Sequence, residues 1–310
     1  MDFVHQSVLL PEVIEALRPP AGRRYFDRFF GGGWHSASIQ EASAPPGFLY
    51  ACDQDGDAVA TANERLAPYA GRFEIQRRNF SDLAGWIPSG SCDGALLDLG
   101  VSSHQLEVGP RGFSFQVDGP LDMRMDRRQG LTAADLVNGL SEGDLATLFW
   151  ELGEERESRR IARAVVRERD MRPIESTRQL ADAVERVCPR NGRRIHPASR
   201  VFQALRMRTN DELGALERGL RSATDILAPG GRLAVITFHS LEDRMVREFM
   251  RAESRDYDLM EGADADLPHY RIPRPSRARL VTRKAILPSE AEIERNPRSR
   301  SAQLRVLEKI

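Results

Sequence analysis

Short apolar runs that end on an acidic residue alternate with amphipathic segments through residue 100 of the chain. Val8 to Leu17 carries apolar residues at helical spacing and predicts a lead-in helix. Arg24-Tyr25-Phe26-Asp27 predicts a strand, and Gly31-Gly32-Gly33 the tight turn after it. A second strand is expected over Phe48–Asp53, a helix over about Gly56 to Leu66, a third strand over Phe73–Gln76 and a fourth over Gly94–Leu99. Strand and helix in strict alternation indicate a parallel sheet covered on both faces.

The pattern then changes. From about Gln105 to Arg206 no strand pattern recurs. Ser141-Glu142-Gly143-Asp144 marks a helix start, and helical periodicity runs through Glu154–Arg169 and Thr177–Val187. Ala198 to Ile226 reads as one long helix ended by Pro229-Gly230-Gly231, and Arg232–Phe238 as a fifth strand followed by a helix over Leu241–Met250. Ser254 to Pro275 is irregular and predicts a surface loop. The expected organisation is an α/β domain in two parts, residues 1–105 and 207–310, interrupted by an all-helical insertion over 106–206.

Composition adds three constraints. With 310 residues and 41% hydrophobic residues, the chain can bury one large core and a smaller one. Cys52, Cys92 and Cys188 show no C-x-x-C spacing, so no metal and no disulfide framework is expected, and a reducing cytoplasm suits them. No apolar run approaches a membrane span, and the first residues do not read as a signal peptide. Net charge is only −1, yet Arg271–Ile310 holds eleven Lys/Arg against four Glu, a basic stretch suited to a phosphate backbone.

Ligands of a doubly wound sheet bind beyond the carboxyl ends of its strands, where Gly31–Gly33, Asp53, Asp98 and the loop after Phe238 are expected. Asp53 follows the glycine turn by about 20 residues, the placement of an acid that binds ribose hydroxyls. It would equally suit a helix N-cap before Gly56. On spacing alone, a nicotinamide dinucleotide and S-adenosylmethionine are both admissible.

Several blocks resemble one family. They are His5-Gln6-Ser7-Val8-Leu9-Leu10, Asn79-Phe80-Ser81-Asp82-Leu83, Asp98-Leu99-Gly100-Val101-Ser102-Ser103, Arg111-Gly112-Phe113-Ser114-Phe115, Ile195-His196-Pro197-Ala198-Ser199-Arg200 and Phe238-His239-Ser240-Leu241-Glu242-Asp243. Together they resemble the MraW/RsmH methyltransferases, which methylate the N4 amine of a cytosine in 16S ribosomal RNA. The resemblance implies a Rossmann-like class I S-adenosylmethionine-dependent methyltransferase sheet with a helical insertion, S-adenosylmethionine as cofactor, and 16S ribosomal RNA or the small ribosomal subunit as partner. It also implies cofactor contacts at Gly33, Trp34, His35, Asp53, Phe80, Asp98 and Gln105. Asp98 is the candidate catalytic anchor near the methyl group. Ser102 and Ser103 are candidates to bond the base edge, and Phe115 to stack on a flipped base. His239 would face the same crevice. Arg124, Arg159, Arg160, Arg200 and Arg206 are candidate phosphate contacts.

One loop departs from the family pattern. Arg28 stands where the family has glycine, Phe29 where it has threonine, and Trp34 where it has glycine. Bulky residues in a loop that closes on a ligand predict weakened cofactor binding. Two other readings remain beside an active methyltransferase: an RNA-binding relative that does not hold the cofactor, and a nicotinamide-dependent oxidoreductase.

Overall fold

The computed structural model describes residues 7–28, 32–128, 130–190, 196–262 and 265–310. Phe29, Phe30 and Gly31, together with His5, Gln6 and Ile195 of the family-like blocks, lie outside the described residues. The described chain forms two compact units, one from residues 1–100 and 215–310, the other from 101–214.

The first unit opens with helix α1 (Leu10–Leu17), strand β1 (Arg24–Arg28), α2 (Trp34–Ala42), β2 (Phe48–Asp53), α3 (Gly56–Leu66), β3 (Phe73–Arg77) and β4 (Cys92–Asp98). Helices α4 (Ser103–Glu107), α5 (Ala133–Gly139), α6 (Glu142–Glu151), α7 (Ser158–Met171), α8 (Thr177–Val187) and α9 (Ala198–Thr209) belong to the second unit. The chain then runs through α10 (Glu212–Asp225), β5 (Leu227–Thr237), α11 (Ser240–Glu253), β6 (Tyr257–Leu259), β7 (Arg271–Pro273), β8 (Ala278–Leu280), α12 (Glu290–Arg295) and β9 (Gln303–Lys309).

Seven strands make one sheet in the order β3-β2-β1-β4-β5-β9-β8. The first five are parallel; β9 pairs antiparallel with β5 and with β8. The period of two along each strand divides the core. Tyr25, Leu49, Ala51, Leu96 and Ala234 face α1, α2 and α3, whereas Phe26, Cys52, Leu97, Leu233 and Val235 face α10 and α11. Both faces are therefore buried, which is why these strands read as continuous apolar runs.

Three expectations need correction, and one strand carried no sequence signal. Ala198–Ile226 is two helices, not one. Asn210 ends α9, and Asp211 takes a left-handed conformation with φ 49°. The Asn210 side chain accepts from Met125 N at 2.7 Å and donates to the carbonyls of Met123 and Arg206 at 2.8 Å, an arrangement that a continued helix would forfeit. Pro229-Gly230-Gly231 does not precede the fifth strand but lies inside it, where the register against β4 shifts between Cys92 and Gly94. Gly230, at φ 80°, supplies the bend. Ser254–Pro275 contains the two-stranded ribbon β6–β7 rather than loop alone. Finally, β9 was hidden because Gln303–Lys309 mixes charge with its buried leucines and valine, as a strand near a sheet edge does.

The second unit holds no sheet strand among its described residues and builds its own core from Phe113, Leu121, Phe149, Ile161, Val165, Leu180, Val201 and Phe202, among others. Replacing Asn210 by alanine strands a buried amide and carbonyl, so we expect about 2–3 kcal/mol of lost stability. Urea denaturation checks this; an unchanged midpoint would show that the turn holds without the side chain.

Candidate active site

Strand order reverses between β1 and β4, the position at which open α/β sheets bind ligands. There the carboxyl ends of β1, β2 and β4 deliver Asp27, Asp53 and Asp98, the first and last of them buried. Burial pushes the Asp27 carboxyl up to about 6, against the pull of His35, a hydrogen bond from Ser36 Oγ at 2.5 Å and the charge of Arg28. Burial likewise pushes Asp53 up to about 7, although the backbone of Asp55 donates to it at 2.8 Å and Arg28 favours its charge. The N-cap of α3 is Asp55, whose side chain accepts from Asp57 N, and not Asp53.

Arg28 reaches across the switch point. Its Nη1 donates to the Asp98 carbonyl at 2.6 Å, and its guanidinium carbon lies 4.6 Å above the centre of the Phe80 ring. The space bounded by Arg28, Cys52, Asp53, Gln54, Arg78 and Phe80 is only about 10 Å³, room for one water molecule. Phe80 is fixed from another side by α10, where a β-carbon on Gly219 would come within 2.2 Å of the ring.

His35 sits in the first turn of α2 and is buried. Its Nδ1 lies 3.5 Å from Asp98 Oδ2, and its Nε2 lies 3.0 Å from the Val8 carbonyl. Burial alone would lower the imidazole's pKa; the hydrogen bond and charge of Asp98, the charge of Asp27 and the Val8 carbonyl outweigh it, and the pKa is raised. Asp98 Oδ1 is buried and has no hydrogen-bond partner among the described residues. It does not cap the following turn. Gly33 caps α2 at φ 69° and Gly32 precedes it at φ 104°, so the backbone enters α2 in a form that side chains resist. Trp34 is partly buried and stacks beneath Arg65, whose guanidinium carbon lies 3.9 Å from the indole centre.

The first unit thus brings Gly33, Trp34, His35, Asp53, Phe80 and Asp98 to one end of its sheet. His239, in the same unit, caps α11: its Nδ1 accepts from Glu242 N at 3.5 Å and its Nε2 lies 3.1 Å from Glu242 Oε1. The remaining candidates belong to the second unit. Ser102 and Gln105 bond reciprocally, each side chain taking the other's backbone amide at 3.0–3.1 Å. Ser103 opens α4, and its side chain lies outside the described residues. The Phe115 ring packs 4.6 Å from His196 and 4.9 Å from Phe202. Arg124 forks onto Asp122, Arg206 onto Glu212, and Arg200 bonds the Glu154 carbonyl. Sequence reasoning flagged Arg28 only as a departure; its contacts with Asp98 and Phe80 had no sequence signal.

Part of the basic C-terminal stretch is engaged within the fold. Arg305 forks onto Asp243 of α11, Arg279 pairs with Glu308, Arg271 with Asp266, Arg274 with Asp258 and Arg277 with Glu253. Lys309 donates to the carbonyls of Thr224 and Leu227. These six cations pair within the fold, whereas Arg283, Lys284, Arg298 and Arg300 of the same stretch are exposed.

A family profile described as the MraW methylase family matches residues 2–310. The chain belongs to the MraW methylase family. A ribosomal RNA small subunit methyltransferase H from Geotalea uraniireducens is 48% identical, covering 100% of this chain and 99% of the relative. One from Citrifermentans bemidjiense is 50% identical, again over 100% and 99%. Among solved structures, an rRNA methylase from Streptococcus thermophilus is 12% identical over 97% of this chain and 93% of that one, with a TM-score of 0.42. That partial likeness adds nothing to the strand order already described.

The raised carboxyl groups set a pH dependence. Between the unfolded value near 4 and the folded values near 6 and 7, the folded chain binds more protons than the unfolded one. Stability therefore falls as pH rises through that window, and the raised His35 acts in the same direction at its upper end. Asp53→Asn should flatten the upper part of the slope. Urea titrations at stepped pH would show it; stability that instead climbs between pH 4 and 7 in the unmodified chain contradicts the assignment.

Proposed function

We propose that this chain transfers a methyl group from S-adenosylmethionine to the N4 amine of a cytosine in 16S ribosomal RNA, and that it holds the cofactor weakly. Family membership supports the reaction, and the full-length relatives named for the small ribosomal subunit support the substrate. No helix among the described residues is long and apolar enough to cross a membrane, in keeping with a cytoplasmic substrate.

The observation that carries the reading is the buried, unpartnered Asp98 Oδ1 at the switch point. An exocyclic amine on cytosine is a poor nucleophile because its lone pair is delocalised into the ring. S-adenosylmethionine, when bound, supplies a methyl group already activated by its sulfonium. Asp98 Oδ1 would accept an N–H from the amine, draw the lone pair out of conjugation and orient it for in-line attack. No strong base is required before attack, since the charged product sheds its proton readily. His35, beside Oδ2, keeps the carboxylate from turning its free oxygen away.

The residues fit the cofactor in part. Gly32 and Gly33 offer bare backbone at φ values that leave room for close approach, and Asp53 and Phe80 stand at the neighbouring strand ends. The misfit is Arg28. Its guanidinium covers the Phe80 face that the family resemblance assigns to the cofactor, and it closes the space beside Asp53. The same observation favours a second reading, a catalytically weak or inactive RNA-binding relative.

Incubation with isotopically labelled S-adenosylmethionine and small ribosomal subunits, followed by mass spectrometry of the nucleosides, tests the reaction. N4-methylcytosine should form, slowly. Asp98→Asn should cost about a hundredfold or more in kcat, as losing a fixed polar contact to the reacting group does. Failure to form N4-methylcytosine at any cofactor concentration would favour the inactive relative.

The loop is tested separately by calorimetry. Restoring the family residues with Arg28→Gly, Phe29→Thr and Trp34→Gly should tighten S-adenosylmethionine binding at least tenfold, about 1.4 kcal/mol. Equal affinity before and after would show that Arg28 leaves Phe80 at no cost.

A further inference from the structure

The second unit carries a groove of its own. One face of α6 and the start of α7 enclose about 890 Å³ of open space. Trp150 of α6 lines it with 58% of its surface exposed, in a unit where Phe149, the next residue back, is fully buried in the core. A large indole left in solvent beside a basic groove is a candidate for recognition rather than packing.

The opposite wall is basic. Arg156 lies three and four residues before Arg159 and Arg160, and Arg163 four and three residues after them, so the four form a stripe along the entry and first turns of α7. Arg163 is paired to Glu142 at 3.4 Å. The guanidinium groups of Arg156, Arg159 and Arg160 have no hydrogen-bond or ion-pair partner among the described residues. That sets them apart from Arg124, Arg206 and Arg305, each committed to a carboxylate. The groove also contains Glu151 and Glu157, so it is not a uniformly positive trough. Its character is three uncommitted guanidinium forks beside one flat aromatic face.

We propose that this groove binds single-stranded RNA, with an unstacked base on Trp150 and the adjoining phosphates on Arg156, Arg159 and Arg160. Guanidinium forks match phosphate oxygens, and an exposed indole accepts any base by stacking. An acidic protein segment would satisfy the arginines but leave the indole without a π-faced partner. The site rests on the reading that the substrate is ribosomal RNA, and it adds a grip on that RNA made by the helical unit alone. Its sequence preference is expected to be slight, since neither stacking nor phosphate contact reads base edges.

The test uses the full chain without cofactor and measures anisotropy of a labelled mixed-sequence single-stranded oligoribonucleotide across a salt series. Trp150→Ala should weaken binding about 5- to 100-fold, the range for losing one base–aromatic stack. Trp150→Phe should keep most of the affinity. The triple variant Arg156→Ala, Arg159→Ala, Arg160→Ala should reduce the slope of log K against log salt by about 2, at roughly 0.7 per phosphate on a single strand. Unchanged affinity and slope in all variants would overturn the proposal. So would normal oligonucleotide binding with lost affinity for the small subunit particle, because the groove would then face a protein. If the unmodified chain binds neither RNA nor particle, the ribosomal substrate itself is overturned. If it binds RNA and the variants match it, only the groove is.

Discussion

Everything at the carboxyl end of the sheet depends on how three carboxyl groups, two of them buried, are held at neighbouring strand ends. Asp27, Asp53 and Asp98 end neighbouring strands, and the first two are pushed toward the neutral form by burial. The positive groups that oppose this are Arg28 and His35, which touch Asp98 from opposite directions: one at its carbonyl, the other at its side chain. Removing a partner from such a cluster leaves an uncompensated buried charge, which costs more than the pair itself contributes. The site is an electrostatic balance before it is a binding surface.

Arg28 serves that balance and occupies one face of Phe80 at once. A glycine at this position would uncover one face of Phe80 and remove a positive charge that favours the Asp53 carboxylate. The chain has instead a side chain that satisfies the Asp98 carbonyl and lies across the aromatic ring. Trp34 shows the same pattern on the next turn, stacked on Arg65. Two large residues in a glycine loop are thus each held by a cation–π contact, which contributes to local stability.

The helical unit distributes its arginines differently from the sheet unit. In the sheet unit, Arg232, Arg279 and Arg305 pair within or against β9 and help fasten the last strand to the fold. In the helical unit, several arginines on α7 are left uncommitted beside an exposed tryptophan. A count of basic residues pointed to the C-terminus, where about half of the cations are paired within the fold, and gave no weight to α7. Charge composition records how many cations there are and not which of them are already neutralised.

The sequence by itself determined the alternation of elements, because a two-sided parallel sheet needs apolar runs and its helices need one apolar face. The strands Arg24–Arg28, Phe48–Asp53, Phe73–Arg77 and Cys92–Asp98, and the acids near the tips of all but the third, were legible for that reason. The break at Asn210 and the bend at Gly230 were not, since both depend on contacts with residues far away along the chain. The strand β9 was invisible because its pairing with β5, more than sixty residues back, decides its form. At the site, strand ends and spacing named Asp53 and Asp98, and the family resemblance added His35 and Phe80. Only the tertiary structure decided that His35 and Arg28 hold Asp98 between them, that Arg28 lies on Phe80, and that one oxygen of Asp98 is left over. Those are relations across strands, and a linear pattern carries no information about which side chains meet once the strand order reverses.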